Sequence, residues 1–246
     1  MKVALLGATQ GMGRALARRM AERGDQLFLL GIGPDELERS AADLTQRSGG
    51  KTTVGFAECD LERPEGFEAA LDAAYAALGS IDVVVVTAGM FGSQERLEAD
   101  PEFCRRMLTV NFAHTVLFCE AARKRLLAHG GGTLCVFSSV AGDRGRKPVV
   151  LYGASKAGLS AYLEGLDHRY HAAGLRTICV KPGFVRTGMT EGLKPPPFAG
   201  EPEGVARHVL RAIDRASPVV YTPFMWRLVM MVIRALPRFV MRRVGF

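Results

Sequence analysis

The chain has 246 residues, 48% of them hydrophobic, and carries a net charge of +7. This length and apolar content suffice for a buried core and exclude a disordered chain. The five cysteines are odd in number and scattered, without a C-x-x-C pair, so we expect no disulfide framework, no metal site and a reducing, cytoplasmic location. The apolar run from Met1 to Gly7 is too short for a signal peptide, so we expect the mature protein to begin at Met1.

The excess positive charge lies at the C-terminal end. Eight arginines and one aspartate fall between Arg207 and Phe246, and acids and bases balance in the rest of the chain. A nucleic-acid-binding surface is expected to gather its charge across the fold and to offer aromatic side chains for stacking. We therefore expect no nucleic-acid partner.

From Met1 to about Val185, short apolar runs alternate with helix-length stretches, which is typical of βαβ units and a parallel sheet. A further apolar run predicts a last strand near residue 220. The seven predicted strands are Val3–Leu6, Leu27–Leu30, Thr53–Phe56, Ile81–Val86, Thr133–Phe137, Thr177–Val180 and Ser217–Tyr221. We therefore expect one α/β domain with a doubly wound parallel sheet over residues 1–222, with helices on both faces, and a C-terminal amphipathic helical extension over residues 223–246.

Three glycines follow the first predicted strand directly. Gly7, Gly11 and Gly13 lie where this strand turns into a helix. Small residues allow backbone N–H groups to approach a phosphate, and a helix N-terminus carries partial positive charge. The spacing G-x-x-x-G-x-G at this place predicts dinucleotide binding by a Rossmann-type fold.

A tyrosine and a lysine follow the fifth predicted strand. Tyr152 and Lys156 are four residues apart on a predicted helix and share one face, and Ser139 precedes Tyr152 by thirteen residues. A free tyrosine has a pKa of about 10, and a nearby cation favours the phenolate. We therefore expect Lys156 to lower the pKa of Tyr152, Tyr152 to give a proton to a carbonyl oxygen, and Ser139 to hydrogen-bond that oxygen.

These motifs resemble the short-chain dehydrogenase/reductase family, whose T-G-x-x-x-G-x-G fingerprint is matched except that Leu6 replaces the threonine. Thr87 likewise stands where the family usually has an asparagine. The resemblance implies an NAD(P)H-dependent oxidoreductase that interconverts a ketone and a secondary alcohol. It also implies that the helices predicted near 102–129 and 149–173 form the contacts of a homodimer or homotetramer.

The resemblance also assigns the site residues. The implied catalytic residues are Ser139, Tyr152, Lys156 and Asn111, with Asn111 supporting the lysine through a water. The implied cofactor contacts are Gly7, Thr9, Gln10, Gly11, Met12, Gly13, Gly31, Asp60, Leu61, Ala88, Gly89, Tyr152, Lys156, Pro182, Gly183, Val185 and Thr187. Taken from the residues alone, Asp60 can also be a helix cap and Asn111 a buried amide bonded to backbone.

The choice between NAD and NADP is expected at the end of the second strand, where an acid binds the ribose hydroxyls of NAD and a base accepts the phosphate of NADP. The sequence offers Gly31-Ile32-Gly33 there, without either charge, and Gln10 in the glycine loop is neutral. Arg14 is either a phosphate ligand or a solvated side chain. The cofactor preference stays open.

Residues 223–246 are apolar but place Arg227, Arg234, Arg238 and Arg242 within one narrow helical arc. The stretch is too short and too interrupted to span a bilayer, which takes about 20 apolar residues. We expect Pro237 to break or kink the helix. Such a segment suits a lipid headgroup boundary, or packing against a second subunit or over the active site, and both alternatives stay open.

The tail and the segments 141–144, 152–159, 181–187 and 193–194 resemble the subgroup that reduces decaprenylphosphoryl-2-keto-erythro-pentose. This resemblance implies a lipid-linked keto-sugar substrate and peripheral attachment to the inner face of the cell membrane. The arginines of the tail would then bind the phosphate of the polyprenyl-phosphate substrate. One alternative is a reductase of a soluble or acyl-carrier-bound ketone whose tail serves oligomer packing. Another is a nucleotide-sensing protein without catalysis, although the intact Ser139, Tyr152 and Lys156 argue against it.

Overall fold

A computed structural model describes residues 1–245. The strands are β1 (Lys2–Leu6), β2 (Gln26–Gly31), β3 (Gly55–Glu58), β4 (Val83–Val86), β5 (Gly132–Phe137), β6 (Leu175–Pro182) and β7 (Val219–Thr222). The helices are α1 (Gly11–Arg23), α2 (Pro34–Arg47), α3 (Phe67–Leu78), α4 (Gln94–Ala99), α5 (Pro101–Leu108), α6 (Thr115–Ala128), α7 (Val150–Tyr170), α8 (Pro202–Arg215), α9 (Met225–Ala235) and α10 (Arg238–Met241).

The seven strands form one parallel sheet in the order β3-β2-β1-β4-β5-β6-β7. The order reverses between β1 and β4, and in sheets of this kind the crevice beyond the carboxyl ends of these strands is the place for a ligand. The predicted doubly wound, Rossmann-type domain is therefore confirmed.

Helices cover both faces of the sheet. Along β1, Val3 and Leu5 face the core shared with α1, α2 and α8, while Ala4 and Leu6 face the core shared with α3, α6 and α7. This alternation follows from the two-residue period of a strand, and both sets are buried because each face carries helices. The sheet is thereby held rigid from both sides beneath the crevice.

The observed strand bounds lie within two residues of the predicted ones, and the contacts explain two of the differences from the prediction. The third strand begins at Gly55 instead of Thr53, because the Val54 N–H is bonded to the Thr45 hydroxyl of α2 (3.1 Å) and not to the sheet. The long helix predicted near 102–129 is divided into α5 and α6 by a π-helical segment, Thr109–His114. Such segments add a residue to a helical turn and often mark functional sites.

The C-terminal extension packs on its own chain. Helix α9 ends at Ala235 and α10 begins at Arg238, so the break predicted at Pro237 is confirmed. Met230 and Ile233 of α9 are buried against Val140. Within residues 1–245, no helix combines the length and the apolar character that crossing a membrane requires.

Candidate active site

The loop between β1 and α1 is packed too closely for side chains. Gly7 has a φ of +96°, and a Cβ there would lie 2.6 Å from the Thr87 hydroxyl oxygen. A Cβ at Gly13 would overlap the Gly7 carbonyl oxygen. Thr87 donates its hydroxyl to the carbonyl oxygens of Gly7 (2.8 Å) and Leu6 (3.1 Å), so it ties β4 to this loop. The result is a rigid, glycine-lined loop at a helix N-terminus, which fits a pyrophosphate.

The remaining loop residues line the same turn. Gln10 is exposed and precedes α1 without a side-chain capping bond, and Met12 packs against the core. Arg14 is half-buried, and its Nε donates to the Thr9 carbonyl oxygen (2.6 Å). This bond braces the loop, and it is compatible with both alternatives for Arg14, the phosphate ligand and the partly solvated side chain.

A second segment closes over this loop from β6. A Cβ at Gly11 would lie 3.4 Å from the Thr187 methyl carbon, so the segment 182–187 lies directly opposite the loop. Thr187 begins a short 3₁₀ turn, and its N–H donates to the Thr190 hydroxyl (3.1 Å). Val185 is buried and pairs with Gly200. The glycine loop and the segment 182–187, which are at least 169 residues apart in the chain, thus face each other.

The expected adenine side is built from the ends of β2 and β3. Gly31 accepts a hydrogen bond from the Cys59 N–H (2.7 Å). The Asp60 carboxylate accepts from the Glu62 N–H (2.9 Å), so Asp60 caps the turn that follows β3. Leu61 is buried, and its carbonyl oxygen lies 2.6 Å from His114 Nδ1 of the π segment. Asp60 therefore closes a turn and does not cap a helix, and its second carboxylate oxygen lies 3.7 Å from Arg63 Nε.

Tyr152 and Lys156 lie on one face of α7. Lys156 is buried, its Nζ donates to the Phe137 carbonyl oxygen (3.0 Å), and Nζ lies 5.8 Å from the centroid of the Tyr152 ring. Burial raises the pKa of Tyr152 to about 12, although the Ser139 hydroxyl acts to lower it. Burial lowers the pKa of Lys156 to about 8. The expected lowering of the Tyr152 pKa by Lys156 is not found, because burial dominates, and the phenol is protonated at neutral pH.

Asn111 lies in the π segment beside this lysine. Its amide exchanges two hydrogen bonds with Met90, accepting from the N–H (2.7 Å) and donating to the carbonyl oxygen (2.8 Å). A Cβ at Gly89 would lie 3.1 Å from Asn111 Oδ1 and 3.6 Å from Lys156 Nζ. Asn111 is therefore a buried amide bonded to backbone, which agrees with the interpretation from the residues alone. It is also a close neighbour of both Gly89 and Lys156.

Ser139 is fixed relative to α7 by close backbone packing. Its Oγ accepts from the Ala141 N–H (3.1 Å) and so caps a 3₁₀ turn, Val140–Gly142. A Cβ at Gly142 would lie 2.6 Å from the backbone carbon of Lys156, and one at Gly153 would lie 2.8 Å from the Ala141 carbonyl oxygen. Only glycines allow the turn and the helix to approach this closely.

An ion pair anchors the other end of this turn. The Asp143 side chain is only 2% exposed, lies 2.6 Å from Lys181 Nζ of β6 and accepts from the Tyr221 hydroxyl of β7 (2.7 Å). Burial acts to lower the pKa of Lys181, but the hydrogen bond and charge of Asp143 outweigh it, so this pKa is raised. The turn that carries Ser139 is thus bonded to two strands as well as packed on α7.

Three neighbours of the site were missed by the sequence analysis. The Phe91 ring meets the Tyr152 ring edge to face, with centroids 5.2 Å apart, and the Gln94 side-chain oxygen accepts from the Leu151 N–H (3.2 Å) at the start of α7. A Cβ at Gly183 would overlap the indole of Trp226, the single tryptophan. For Phe91, the only local indication in the sequence is its position two residues after Gly89. The other two contacts join distant parts of the chain.

Comparison with known proteins gives one consistent family. A family model described as short chain dehydrogenase matches residues 2–197. The chain is 38% identical over 253 residues to an uncharacterized oxidoreductase of Streptomyces coelicolor, covering 97% of this chain and 94% of that protein. It is 34% identical over 241 residues to an uncharacterized oxidoreductase of Mycobacterium tuberculosis, covering 98% and 96%.

Solved structures show the same fold. An actinorhodin polyketide ketoreductase solved with NADPH matches with a TM-score of 0.80 at 23% identity, covering 90% of this chain and 95% of that one.

Proposed function

Because this chain belongs to the short-chain dehydrogenase family, we propose that it reduces the ketone of a lipid-linked substrate to a secondary alcohol. Membership makes it an NAD(P)-dependent oxidoreductase that acts on a ketone/alcohol pair. The substrate class that we propose is a keto-sugar carried on a polyprenyl phosphate, from the resemblance of the tail and the segments around it. The observation that carries the chemistry is the convergence of Ser139, Tyr152 and Lys156 beside Gly89.

The glycine loop, Gly89 and the segment 182–187 would hold the cofactor, and a bound reduced nicotinamide supplies the hydride. Tyr152 donates its proton to the carbonyl oxygen, and its raised pKa keeps this proton in place at neutral pH. Ser139 now makes a long bond to the Pro182 carbonyl oxygen (3.4 Å), which its hydroxyl can exchange for the substrate oxygen at little cost. Lys156, with a pKa of about 8, exchanges protons near neutral pH and can restore the proton of the phenol.

The surroundings of Gly183 support an apolar substrate. Trp226 covers this glycine, and its indole Nε1 donates to the Phe198 carbonyl oxygen (3.2 Å). The loop that ends there exposes Met189, Leu193 and Phe198. An apolar entrance of this kind suits a ligand with a long hydrocarbon part. The structural neighbour is named a polyketide ketoreductase, and its name supports ketone reduction with a polyketide as the alternative substrate class.

The test measures NADH and NADPH oxidation with three ketones: a polyprenyl-phosphate keto-sugar, the same sugar without lipid, and a polyketide analogue. We expect the lipid-linked ketone to give the highest kcat/KM. Equal or better turnover of the unlipidated sugar or of the polyketide analogue would refute the lipid-linked class and leave the reductase chemistry standing.

The chemistry is tested with Tyr152→Phe and a matched control. We expect kcat to fall roughly 100-fold to 10,000-fold, because general acid catalysis contributes this much. Tyr162→Phe removes a hydroxyl from the same helix, where it donates to Glu120 (2.7 Å), and should retain turnover. Cofactor binding, read from the fluorescence of Trp226, should persist in both variants. Full turnover by Tyr152→Phe would overturn the assignment.

A further inference from the structure

We propose that the outer face of α9 and α10 docks on the surface of a bilayer that contains anionic lipids. The proposal concerns an interaction surface of the tail and does not rest on the reaction proposed above. Its evidence is the orientation of α9, the apolar side chains that this orientation leaves uncovered, and the distribution of charge around them.

The orientation of α9 is set by contacts with the catalytic domain. Met230 and Ile233 are buried against Val140, and the Leu236 carbonyl oxygen accepts from Arg144 Nη2 (2.9 Å). Beyond Pro237, the Arg242 carbonyl oxygen accepts from Lys147 Nζ (2.7 Å). Because these contacts hold the inner face of α9 from Met230 onward, its opposite face points away from the protein.

That opposite face is apolar. Met231 is 63% exposed and Val232 is 58% exposed, and both lie three or four residues from Leu228, which is also exposed. This spacing puts the three side chains on one stripe of the helix. Apolar side chains gathered in this way on a folded surface mark a contact site.

The apolar surface continues beyond the helix. Phe224 precedes α9 and Phe239 lies on α10, and both are more than half exposed. Trp226 joins this surface to the loop that follows β6 through its bond to the Phe198 carbonyl oxygen, and the Phe198 side chain is exposed as well. The apolar surface therefore reaches from the tail to this loop.

Arginines border the stripe. Residues 223–246 hold five arginines and no aspartate or glutamate. Among residues 1–245, the ion pairs involve none of the five. Arg227 and Arg234 are seven residues apart, so they share one flank of α9 and line a groove together with Met231. Long basic side chains beside an apolar stripe can reach lipid phosphates while the stripe enters the headgroup boundary.

Charge complementarity favours a membrane over a second copy of the chain. A two-fold interface places the same patch on both subunits. The tail contributes arginines and no acid to this patch, and Glu164 and Asp167, which are acids of the adjoining groove, lie on α7. Pairing the tail with its copy would therefore oppose like charges at the edge of the contact. An anionic bilayer supplies both the apolar and the negatively charged component that this surface lacks.

The test is cosedimentation of the full chain, without cofactor or substrate, with two kinds of vesicle. One kind is phosphatidylcholine alone, and the other also contains phosphatidylglycerol. We expect the protein to pellet with the anionic vesicles and to be released by salt, because raising the ionic strength from about 0.1 M to about 1 M shortens the screening length from about 10 Å to about 3 Å. Absence of pelleting with the anionic vesicles would overturn the proposal.

Two variants separate the charged and the apolar contribution. Arg227→Gln with Arg238→Gln should weaken binding about 30-fold, since each charge near an anionic surface contributes roughly fivefold. The control, Lys51→Gln with Lys124→Gln, removes the same charge from exposed positions far from the tail in the sequence and should bind as the wild type. Equal weakening by both pairs would show a response to net charge alone and would contradict a specific surface.

The apolar contribution is tested by Met231→Ser with Val232→Ser, which should weaken binding at least tenfold, since two exposed apolar side chains are lost. Leu117→Ser, at an exposed leucine of α6, is the control and should leave binding unchanged. If the tail variant instead converts a dimer into a monomer and leaves vesicle binding intact, the occupant is a second copy and the proposal is wrong. Reduction of a water-soluble ketone by both variants reports on the reductase function separately.

Discussion

The position of Lys156 serves catalysis at the expense of the stability of the folded protein. Its ammonium is buried, and burial lowers its pKa from 10.5 to about 8. The folded protein therefore resists protonating this side chain, while the unfolded chain does not. Replacing the lysine by a neutral side chain of similar length, Lys156→Met, should abolish turnover and stabilise the cofactor-free protein at neutral pH.

The size of the effect follows from the shift. A change from 10.5 to about 8 corresponds to about 3 kcal/mol at 1.36 kcal/mol per unit of pKa. The variant also leaves the Phe137 carbonyl oxygen without its donor, which costs about 1 kcal/mol. We therefore expect a net stabilisation of about 2 kcal/mol at pH 7, or roughly 6 °C in Tm for a chain of this size.

The stability difference between the wild type and Lys156→Met should depend on pH. A lysine with a lowered folded-state pKa carries its full penalty below pH about 8, and the penalty disappears as the pH rises through 10.5, where the unfolded chain also loses the proton. The wild type should gain stability between these values and the variant should not. Their urea midpoints should differ at pH 7 and converge near pH 10, with Lys124→Met as the exposed control. A variant that is less stable at pH 7, or a difference independent of pH, would refute the reasoning.

Three further outcomes are expected. Gly142→Ala should lose about 1–3 kcal/mol of stability and most activity, because the new Cβ would lie 2.6 Å from the backbone of α7. The control Gly145→Ala, whose Cβ has nothing within 4 Å, should keep both properties, as measured by urea unfolding and ketone reduction. The initial rate of reduction should fall as the pH rises through about 8, where Lys156 loses its proton, and a flat profile from pH 6 to about 10 would exclude a role for that charge. Gln94→Leu should cost about 1 kcal/mol by leaving the Leu151 N–H unpaired, measured by thermal unfolding, and an unchanged Tm would show that water replaces the amide.

The sheet was predictable because its strands are short apolar runs bounded by glycines and helices. At β4, the four consecutive valines at 83–86 indicate a strand covered on both faces, and the structure places this strand beside β1. The third strand was misplaced by two residues because a β-branched run, Thr52-Thr53-Val54, begins before the sheet pairing does. Periodicity reports which residues are apolar and cannot report which N–H bonds to a helix side chain.

The candidate site was predictable where its residues follow a motif. Tyr152 and Lys156 share a helical face by their spacing alone. Their pKa values were not predictable, since these depend on burial by distant segments. The same holds for Asp143, whose partners Lys181 and Tyr221 lie 38 and 78 residues further along the chain. Contacts of this kind depend on the assembled fold, and no local sequence pattern predicts them.

The link between β7 and α9 is two residues long, Pro223 and Phe224. Each residue of an α-helix turns the chain by about 100°. One residue inserted in this link would preserve the charge, composition and helix propensity of the tail, yet it would rotate Trp226 away from Gly183 and Met230 away from Val140. Tolerance to insertion should therefore change abruptly after β7, and the number of residues in this link is constrained as strictly as the identity of a buried side chain.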